Sequence, residues 1–429
     1  SDLLRGLCEL LSQHAPQMTD PELLVHHLAG LLAGRGRMLL VVDDVWTAGQ
    51  LEPFVTLAER VRVLVTTRNR LVLPEGHEQV RVDALDDQVA AEVLTRGLPP
   101  MSGEVRRRLL ALTGGWPLLL ALVNARLAAD VADGAGVDAA ARQAITRLEQ
   151  AGPAALDVSD TDQRSKAVRA TIGYSTQLLP LRVRERLVEL GIFREDTEIP
   201  VPMVHLLWAA TAGMTPVQAQ QTCERLAGLS LITLRWADQD HQVVVLHDVI
   251  RAFLRSLDGL GDRRVQVNQH LVDHAGEVLG IDDGHWWRLP EGHFLWDHLA
   301  FHLAEADRKA QLAELVADVR WLVARLAHGG PLALEADLAM SQDARAVATR
   351  RVIARAGYLL GELDSPQASE SNRLAHLSVL PHIRQQLNVP GIVERSVLVA
   401  KWPLPESRDT GLIRTLTGHT DDVTGVAIA

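Results

Sequence analysis

The sequence predicts a multi-domain chain in which an α/β part precedes a larger helical part. Its 429 residues are more than one ordinary domain needs. Apolar runs at 38–42 and 61–67 alternate with helical segments, a rhythm that indicates a parallel sheet flanked by helices. Residues 262–400 carry helical patterns almost throughout.

Composition restricts the kinds of partner. The chain is 47% hydrophobic and 23% charged, with a formal net charge of -11 at pH 7. We therefore expect no membrane partner and little attraction to DNA. Cys8 and Cys223 are the only cysteines, which indicates a reducing cytoplasm and no disulfide framework. No apolar run approaches the length of a membrane span.

The first 83 residues predict the α/β part. Leucines at helical spacing begin the chain, and a second helix is expected to start at Pro21 after a capping residue. The run MLLVV then predicts a buried strand, and a short helix near 50–59 leads to a second strand, VRVLVTT. VRV at 80–82 is a candidate third strand.

The rest of the chain divides into segments of different character. Helical patterns fill 84–150, and a polar stretch of small residues at 151–165 is typical of a linker. Helices and then two alternating runs around Ala-Asp-Gln-Asp-His give 166–258 a winged-helix outline. The helical region 262–400 follows, and residues 411–429 return to a β-like pattern.

Two acids, Asp43 and Asp44, follow the first strand. Open α/β sheets bind ligands at the carboxyl ends of their strands. One carboxylate there can hold Mg²⁺, directly or through water, and the other can orient or deprotonate an attacking water. The alternative is a pair of turn residues that cap a helix. The five apolar residues before the acids favour the functional interpretation.

Two other motifs have both a structural and a functional interpretation. ThrThrArg at 66–68 ends the second strand, where Arg68 could reach a terminal phosphate or lie in solvent. In GGWP at 114–117, the glycines can end one helix and Pro117 can begin the next. In the functional interpretation, Pro117 packs against an adenine ring.

Histidines raise two more questions. In LHD at 246–248, Asp248 is well placed as a helix N-cap, while His247 could donate a hydrogen bond to a phosphate or be a satisfied, partly buried histidine. His298 and His302 lie four residues apart, a spacing that suits a metal pair. The apolar residues between and around them favour simple packing.

Taken together and in this order, LLVVDDVW, VLVTTRN, GGWPLLL and LHDVIRAFL resemble the NB-ARC module of the STAND class of signalling NTPases. The resemblance implies a P-loop NTPase-like α/β domain over 1–83, a first helical domain over 84–150 and a winged-helix domain over 166–258. It also implies a helical arm of the apoptosome type over 262–400. TLTGHTDDVTGVAIA, within 411–429, resembles the start of the first blade of a WD40 propeller.

The resemblance also implies roles for the first group of matched residues. Asp43 would serve Mg²⁺, and Asp44 would lie nearest the attacking water, so these two acids are the expected catalytic residues. Arg68, next to Thr67, would sense the terminal phosphate. Pro117 would contact adenine from the first helical domain.

A second group of implied roles concerns the switch. His247 would reach the β-phosphate of ADP, and Asp248 would support that junction. Exchange of ADP for ATP, with Mg²⁺, would let the domains reorient and form a homo-oligomer, because a ligand shifts such an equilibrium by its different affinity for the two states. The WD40 region would bind a protein ligand.

A glycine-rich phosphate loop with a lysine is not in the sequence, since none of Lys166, Lys309 and Lys401 follows a glycine. We expect that loop to precede Ser1 or not to exist. Because its amides and lysine normally supply most of the phosphate binding, this chain is expected to be a fragment that binds nucleotide weakly or not at all. The intact protein would be a slow ATPase.

Two alternatives stay open. The chain could be a non-catalytic interaction scaffold with a degenerate NTPase core, although the retained acids, Arg68 and His247 argue against it. It could also be a transcriptional regulator that binds DNA through the winged helix, although residues 215–229 form no basic recognition surface.

Overall fold

The computed structural model describes residues 2–12, 20–33, 35, 37–43, 45, 47–59, 61–67, 72–74, 76, 78, 80, 85–151, 161–177, 179–257, 260–281, 284–357, 360 and 366–388. The chain divides into two units, one formed by residues 1–69 and 313–429 and the other by residues 70–312.

The first unit begins with the elements that the sequence predicted. They are α1 (Asp2–Ser12), α2 (Pro21–Ala33), β1 (Leu39–Val42), α3 (Ala48–Val55), a 3-10 helix (Thr56–Glu59) and β2 (Arg62–Val65). Helix α2 starts at Pro21 because the Asp20 carboxylate accepts the Glu22 N–H at 2.9 Å, which satisfies a backbone donor that the helix itself leaves unpaired.

Strands β1 and β2 pair in parallel, with Leu39 opposite Arg62 and Val42 opposite Val65. The parallel arrangement predicted from the alternating rhythm is therefore confirmed for these two strands. Parallel pairing brings the carboxyl ends of both strands to one edge of the sheet. The residues that follow Val42 and Val65 consequently lie next to each other.

One face of the β1–β2 pair is exposed to solvent. Leu39, Val41 and Leu64 are 61%, 54% and 51% exposed, while the alternate positions of both strands are half-buried. The expectation of a buried strand at MLLVV is thus wrong for every second residue. An unbroken apolar run is typical of a parallel strand covered on both faces, and in the described part of the chain only one face is covered.

Helix α1 joins the N-terminal elements to the later helices of its unit. Those helices are α16 (Val319–Ala339), α17 (Ala344–Ala356), α18 (Pro366–Leu377) and α19 (Pro381–Leu387). The buried Arg5 guanidinium on α1 donates to the carbonyl of Ala354 at 3.4 Å and lies 4.0 Å from the Glu335 carboxylate. A charged contact therefore ties α1 to α16 and α17.

Helix α16 is broken at Gly330, whose backbone has φ 71° and ψ -174°, and Pro331 follows. The buried side chains of Arg325 and Asp337 bridge the break, with Nε and Oδ2 2.8 Å apart. A Cβ on Gly329 would overlap the Arg325 guanidinium. The glycine pair thus permits the turn in the backbone and leaves room for the ion pair.

The second unit opens with a helical core. Its helices are α4 (Asp87–Thr95), α5 (Gly103–Thr113), α6 (Pro117–Ala132), α7 (Val137–Ala151) and α8 (Thr161–Gln177). The helical patterns predicted within 84–150 are confirmed by α4 to α7, and Ala170 and Tyr174 of α8 pack in the same core. Helix α8 begins inside the predicted linker 151–165, of which residues 152–160 lie outside the described part.

A three-stranded antiparallel sheet follows in the order β3-β5-β4. The elements are α9 (Leu181–Glu189), a 3-10 helix (Leu190–Ile192), β3 (Glu198–Pro200), α10 (Val201–Ala212), α11 (Pro216–Gly228), β4 (Thr233–Trp236), β5 (Gln242–Val245) and α12 (Asp248–Ser256). The two alternating runs predicted around Ala-Asp-Gln-Asp-His pair as the antiparallel hairpin of β4 and β5. Its turn is stabilised by the Asp238 carboxylate, which accepts the N–H groups of Asp240 at 2.9 Å and His241 at 2.8 Å.

Helices also dominate the remaining described residues, as predicted. They are α13 (Leu260–Leu279), a 3-10 helix (Trp286–Arg288), α14 (Leu295–Glu305) and α15 (Lys309–Leu315). Of the candidate third strand, Val80 is 81% exposed and outside any strand, while residues 81 and 82 lie outside the described part. The WD40 prediction at 411–429 also falls outside it.

None of the described helices is both long enough and apolar enough to cross a lipid bilayer. Cys8 and Cys223 are buried free thiols.

Candidate functional site

The carboxyl edge of the β1–β2 pair gathers an acid and two hydroxyl groups. The Thr66 hydroxyl donates to Oδ1 of Asp43, and the Thr67 hydroxyl donates to the Val45 carbonyl at 2.5 Å. Backbone bonds continue the strand pairing past both strand ends, from the Thr66 N–H to the Val42 carbonyl at 3.0 Å and from the Val45 N–H to the Thr66 carbonyl at 2.9 Å. Asp43 is exposed and held in place by this network.

Two predicted residues of this edge, Asp44 and Arg68, lie outside the described residues. The structure therefore brings together Asp43 and Thr67 of the predicted set, and it adds Thr66. Sequence reasoning noted Thr66 only as part of ThrThrArg. The parallel pairing of the two strands was the signal that could have identified it, because residues that follow paired parallel strands meet at one edge.

The described residues at this edge fit Mg²⁺ only in company with other ligands. Magnesium demands six oxygen ligands and usually keeps several waters, with one or two protein carboxylates and substrate phosphates. Asp43 supplies one exposed carboxylate whose orientation is fixed by Thr66. Within the described part of the chain, no group of three or more His, Cys, Asp or Glu side chains could hold a metal alone. Such an edge suits a phosphate-bound ion.

Pro117 is the first residue of α6 and is exposed. Gly114 ends α5 in the left-handed conformation with φ 57°, and Gly115 follows with φ 68°. The Leu85 N–H donates to the Gly115 carbonyl at 2.9 Å, which fixes the turn against the start of α4. The structural interpretation of GGWP is therefore confirmed, and the exposed Pro117 ring remains accessible to a flat ligand.

His247, rather than Asp248, caps α12. The Val249 N–H donates to Nδ1 of His247 at 3.2 Å, and His247 has the extended backbone of an N-cap. The expectation that Asp248 would be the cap is wrong by one residue, because the helical backbone already includes it. As the first residue of α12, Asp248 places its negative charge near the positive end of the helix dipole.

His298 and His302 have unlike surroundings. Nδ1 of His302 lies 2.7 Å from Oδ1 of Asn268, and the ring is 1% exposed. Burial, then the nearby His298 and Arg194, lower the pKa of His302 to about 3. The His298 ring stacks on Phe294 with centroids 4.0 Å apart. These contacts agree with the packing interpretation.

The first unit holds Asp43, Thr66 and Thr67, whereas Pro117, His247 and Asp248 belong to the second. Comparison with protein families decides how the first group is interpreted. Residues 1–97 match the NB-ARC domain. The NB-ARC resemblance predicted from the sequence is thus confirmed over this segment, which includes Asp43, Thr66 and Thr67. The NB-ARC match continues past the predicted boundary at residue 83 and through α4.

Other comparisons are less informative than the NB-ARC match. No curated protein matches the chain. Among solved structures, the chain is similar to a STAND protein with a tetratricopeptide repeat sensor from Pyrococcus horikoshii, at 13% identity and a TM-score of 0.42. That similarity covers 90% of this chain and 56% of the other, so the chain spans little more than half the length of that protein. A likeness this distant carries no inference about the present chain.

Proposed function

We propose that the protein is a nucleotide-dependent signalling NTPase in which exchange of ADP for ATP drives domain rearrangement and oligomerisation. The observation that carries the proposal is the hydrogen bond from Thr66 to Asp43 at the carboxyl edge of β1 and β2, inside the segment that matches NB-ARC. Ligands of open α/β sheets bind at that edge.

At this edge Asp43 would hold Mg²⁺ and Asp44 would orient the attacking water. Bound Mg²⁺ neutralises negative charge that develops on the phosphate oxygens. Thr66 keeps the Asp43 carboxylate in one orientation. Removing a residue that hydrogen-bonds to a metal ligand in this way typically weakens metal binding by about 10- to 100-fold. Thr67 and Arg68 would contact the terminal phosphate.

The second group of residues would also contact nucleotide. Pro117 would pack on adenine, and His247 would donate to the β-phosphate of ADP. The cap geometry supports the role of His247, because an Nδ1 that accepts the Val249 N–H leaves the proton of the neutral ring on Nε2. Asp248 would support the same junction.

The predicted domains complete the proposal. The element order α9, β3, α10, α11, β4 and β5 supports a winged-helix domain over 166–258. The helices of 262–400 would form the arm, and a WD40 region from 411 onwards would bind a protein ligand. The buried free thiols Cys8 and Cys223 accord with a reducing cytoplasm.

Calorimetric titration of the chain with MgADP and MgATP tests the proposal. We expect weak binding or none, because the phosphate loop is not in this sequence. Asp43→Asn should weaken the Mg²⁺-dependent part of the binding, and Thr66→Val should weaken it by about tenfold. Micromolar ADP affinity would contradict the expectation of weak binding.

Matched controls are available in the same unit. Glu52→Gln removes an exposed carboxylate from α3, and Thr56→Val removes an exposed hydroxyl; both should leave binding unchanged. A Gly-Lys-Ser/Thr loop shortly before Ser1 in the parent sequence would support the switch, and its absence there would support the non-catalytic scaffold. Equal binding by wild type and Asp43→Asn would remove Asp43 from the site.

DNA binding is disfavoured by the charge of the hairpin. The loop between β4 and β5 carries exposed Asp238 and Asp240, and α11 exposes Glu224 beside Arg225. DNA-binding surfaces are basic because they neutralise phosphates. A mobility-shift series at increasing salt should show no specific complex, and a salt-resistant complex would revive the regulator hypothesis.

A further inference from the structure

Helix α12 carries three polar side chains along one stripe. His247 caps the helix, Arg251 lies one turn later, and Arg255 lies one turn after that. Residues four apart share a face of an α-helix. The stripe therefore runs from the proposed phosphate contact to the last turn of α12.

Arg251, in the middle of the stripe, is buried and held by hydrogen bonds. The Arg251 side chain is 7% exposed, its Nε donates to the Phe193 carbonyl at 2.6 Å, and its Nη1 donates to Glu195 at 2.6 Å. A buried guanidinium with an ionic partner and a carbonyl acceptor is costly to displace. Arg251 consequently holds α12 against the segment that precedes β3.

The far end of the stripe meets a shared carboxylate. Nη2 of Arg255 lies 3.1 Å from Oε2 of Glu305, and Nε of Arg264 lies 3.0 Å from the same oxygen. Glu305 ends α14, and Arg264 belongs to α13. The three side chains are 22% to 36% exposed. One carboxylate thus joins α12, α13 and α14.

An aromatic contact runs beside this ionic one. Phe193, whose carbonyl accepts from Arg251, packs edge-on to His302 with centroids 5.6 Å apart and to Phe294 at 5.9 Å. His302 lies one turn before Glu305 on α14 and pairs with Asn268 on α13. The same two helices are therefore attached to α12 at a buried point and at a partly exposed one.

We propose that α12 couples the phosphate contact at His247 to α13 and α14, with Glu305 as the positioning residue through which the coupling passes. The proposal rests on the proposed function for its ligand, a nucleoside diphosphate. The buried contacts of Arg251 and Phe193 act as the pivot. The side chains of the pairs at Glu305 are 22% to 36% exposed, so separating them costs less than displacing the buried Arg251, and the end of α12 can move relative to α14.

Hydrogen–deuterium exchange without nucleotide tests the coupling. His247→Ala removes the cap of α12 and should raise exchange in the last turn of α14 on the order of two- to fivefold, the opening expected from one lost cap. In an Arg255→Met background, which keeps the Arg264–Glu305 pair, His247→Ala should add no further rise. Glu305→Gln serves the same purpose if Arg255→Met does not fold.

Thr215→Ala is the matched control. Thr215 caps α11, accepting the Gln218 N–H on its hydroxyl at 3.4 Å, and α11 packs against α10 and β4. This variant should leave exchange in α14 unchanged. An equal rise with Thr215→Ala, or an effect of His247→Ala that persists in the Arg255→Met background, would overturn the coupling.

A second arm of the experiment separates the coupling from the function. MgADP should slow exchange in α14 of the wild type and should not do so in Arg255→Met, since coupling free energies are reciprocal. If MgADP binds without changing exchange in α14, the coupling is wrong. If MgADP does not bind this chain, the nucleotide-free comparison still decides the coupling.

Discussion

His302 on α14 and Asn268 on α13 share a buried hydrogen bond, with Nδ1 of the histidine 2.7 Å from Oδ1 of the asparagine. The Asn268 amide in turn donates to the Arg264 carbonyl at 2.9 Å, which fixes the orientation of its oxygen. Nδ1 of His302 is therefore the donor, and burial, which lowers the pKa of the ring to about 3, keeps it neutral. Phe193 packs edge-on against the imidazole, and His302 is 1% exposed, so the ring is shielded from water.

Acid should destabilise the second unit through His302. An unfolded histidine has a pKa near 6.5, and burial lowers the folded value to about 3. The stability contributed by the neutral ring is thus complete above pH 6.5 and is lost as pH falls towards 3. Between pH 7.5 and 5.0, unfolding in urea should become easier by about 2 kcal/mol on account of this residue.

His302→Gln should abolish that part of the pH dependence, because the amide can donate to Asn268 without titrating. The control is His270→Gln, which replaces an exposed histidine on α13 and should keep the wild-type pH dependence. If the urea midpoint shifts between the two pH values by the same amount in wild type and in His302→Gln, the assignment of this pH dependence to His302 is wrong.

Removing one partner of the ion pair that spans the break in α16 should strongly destabilise the first unit. Arg325 and Asp337 have side chains 3% and 4% exposed, so Arg325→Met leaves a buried carboxylate and should cost about 3–5 kcal/mol. The double variant Arg325→Met, Asp337→Leu should recover most of that loss. Urea unfolding with exchange measured in α16 reports the effect on this unit.

An exposed pair provides the comparison. Arg345 and Asp343 are 3.0 Å apart with side chains 46% and 32% exposed, and Arg345→Met should cost no more than about 1 kcal/mol. A similar cost for both arginines would mean that burial does not set the strength of the pair at Arg325.

Two glycine-to-alanine substitutions should change the stability of the protein in opposite directions. Gly330 adopts φ 71° and ψ -174°, a region that costs other residues about 1–3 kcal/mol, so Gly330→Ala should destabilise. Gly30 lies within α2, where an added Cβ would meet open space, and Gly30→Ala should stabilise by up to about 1 kcal/mol. Thermal unfolding of both variants checks the pair, and a stable Gly330→Ala would show that the break is not required.

Local patterns predicted most elements correctly. Asp20 and Pro21 fixed the start of α2, and Gly114 with Pro117 fixed the junction of α5 and α6, because backbone preferences at helix ends are strong and local. Strands β1 and β2 followed from their apolar runs. The exposure of Leu39 and Leu64 could not be predicted, since it depends on what covers a face of the sheet.

The candidate site was less predictable than the fold. Asp43 was identified from its position after a strand, but its bond to Thr66 depends on the pairing of two strands 23 residues apart. At the start of α12 the sequence offered two candidate caps, and the stronger side chain, Asp248, was the wrong choice. Which residue keeps an extended backbone is decided by the hairpin that precedes α12.

Leu39, Val41 and Leu64 also affect how the purified chain should behave. These three side chains form an exposed apolar surface that is poorly hydrated. Salts that are excluded from protein surfaces raise the free energy of that surface further. Precipitation by ammonium sulfate should therefore begin at a lower concentration than the net charge of -11 would suggest. Crystallisation from polymers at low ionic strength should therefore cause less precipitation of this protein than salting out.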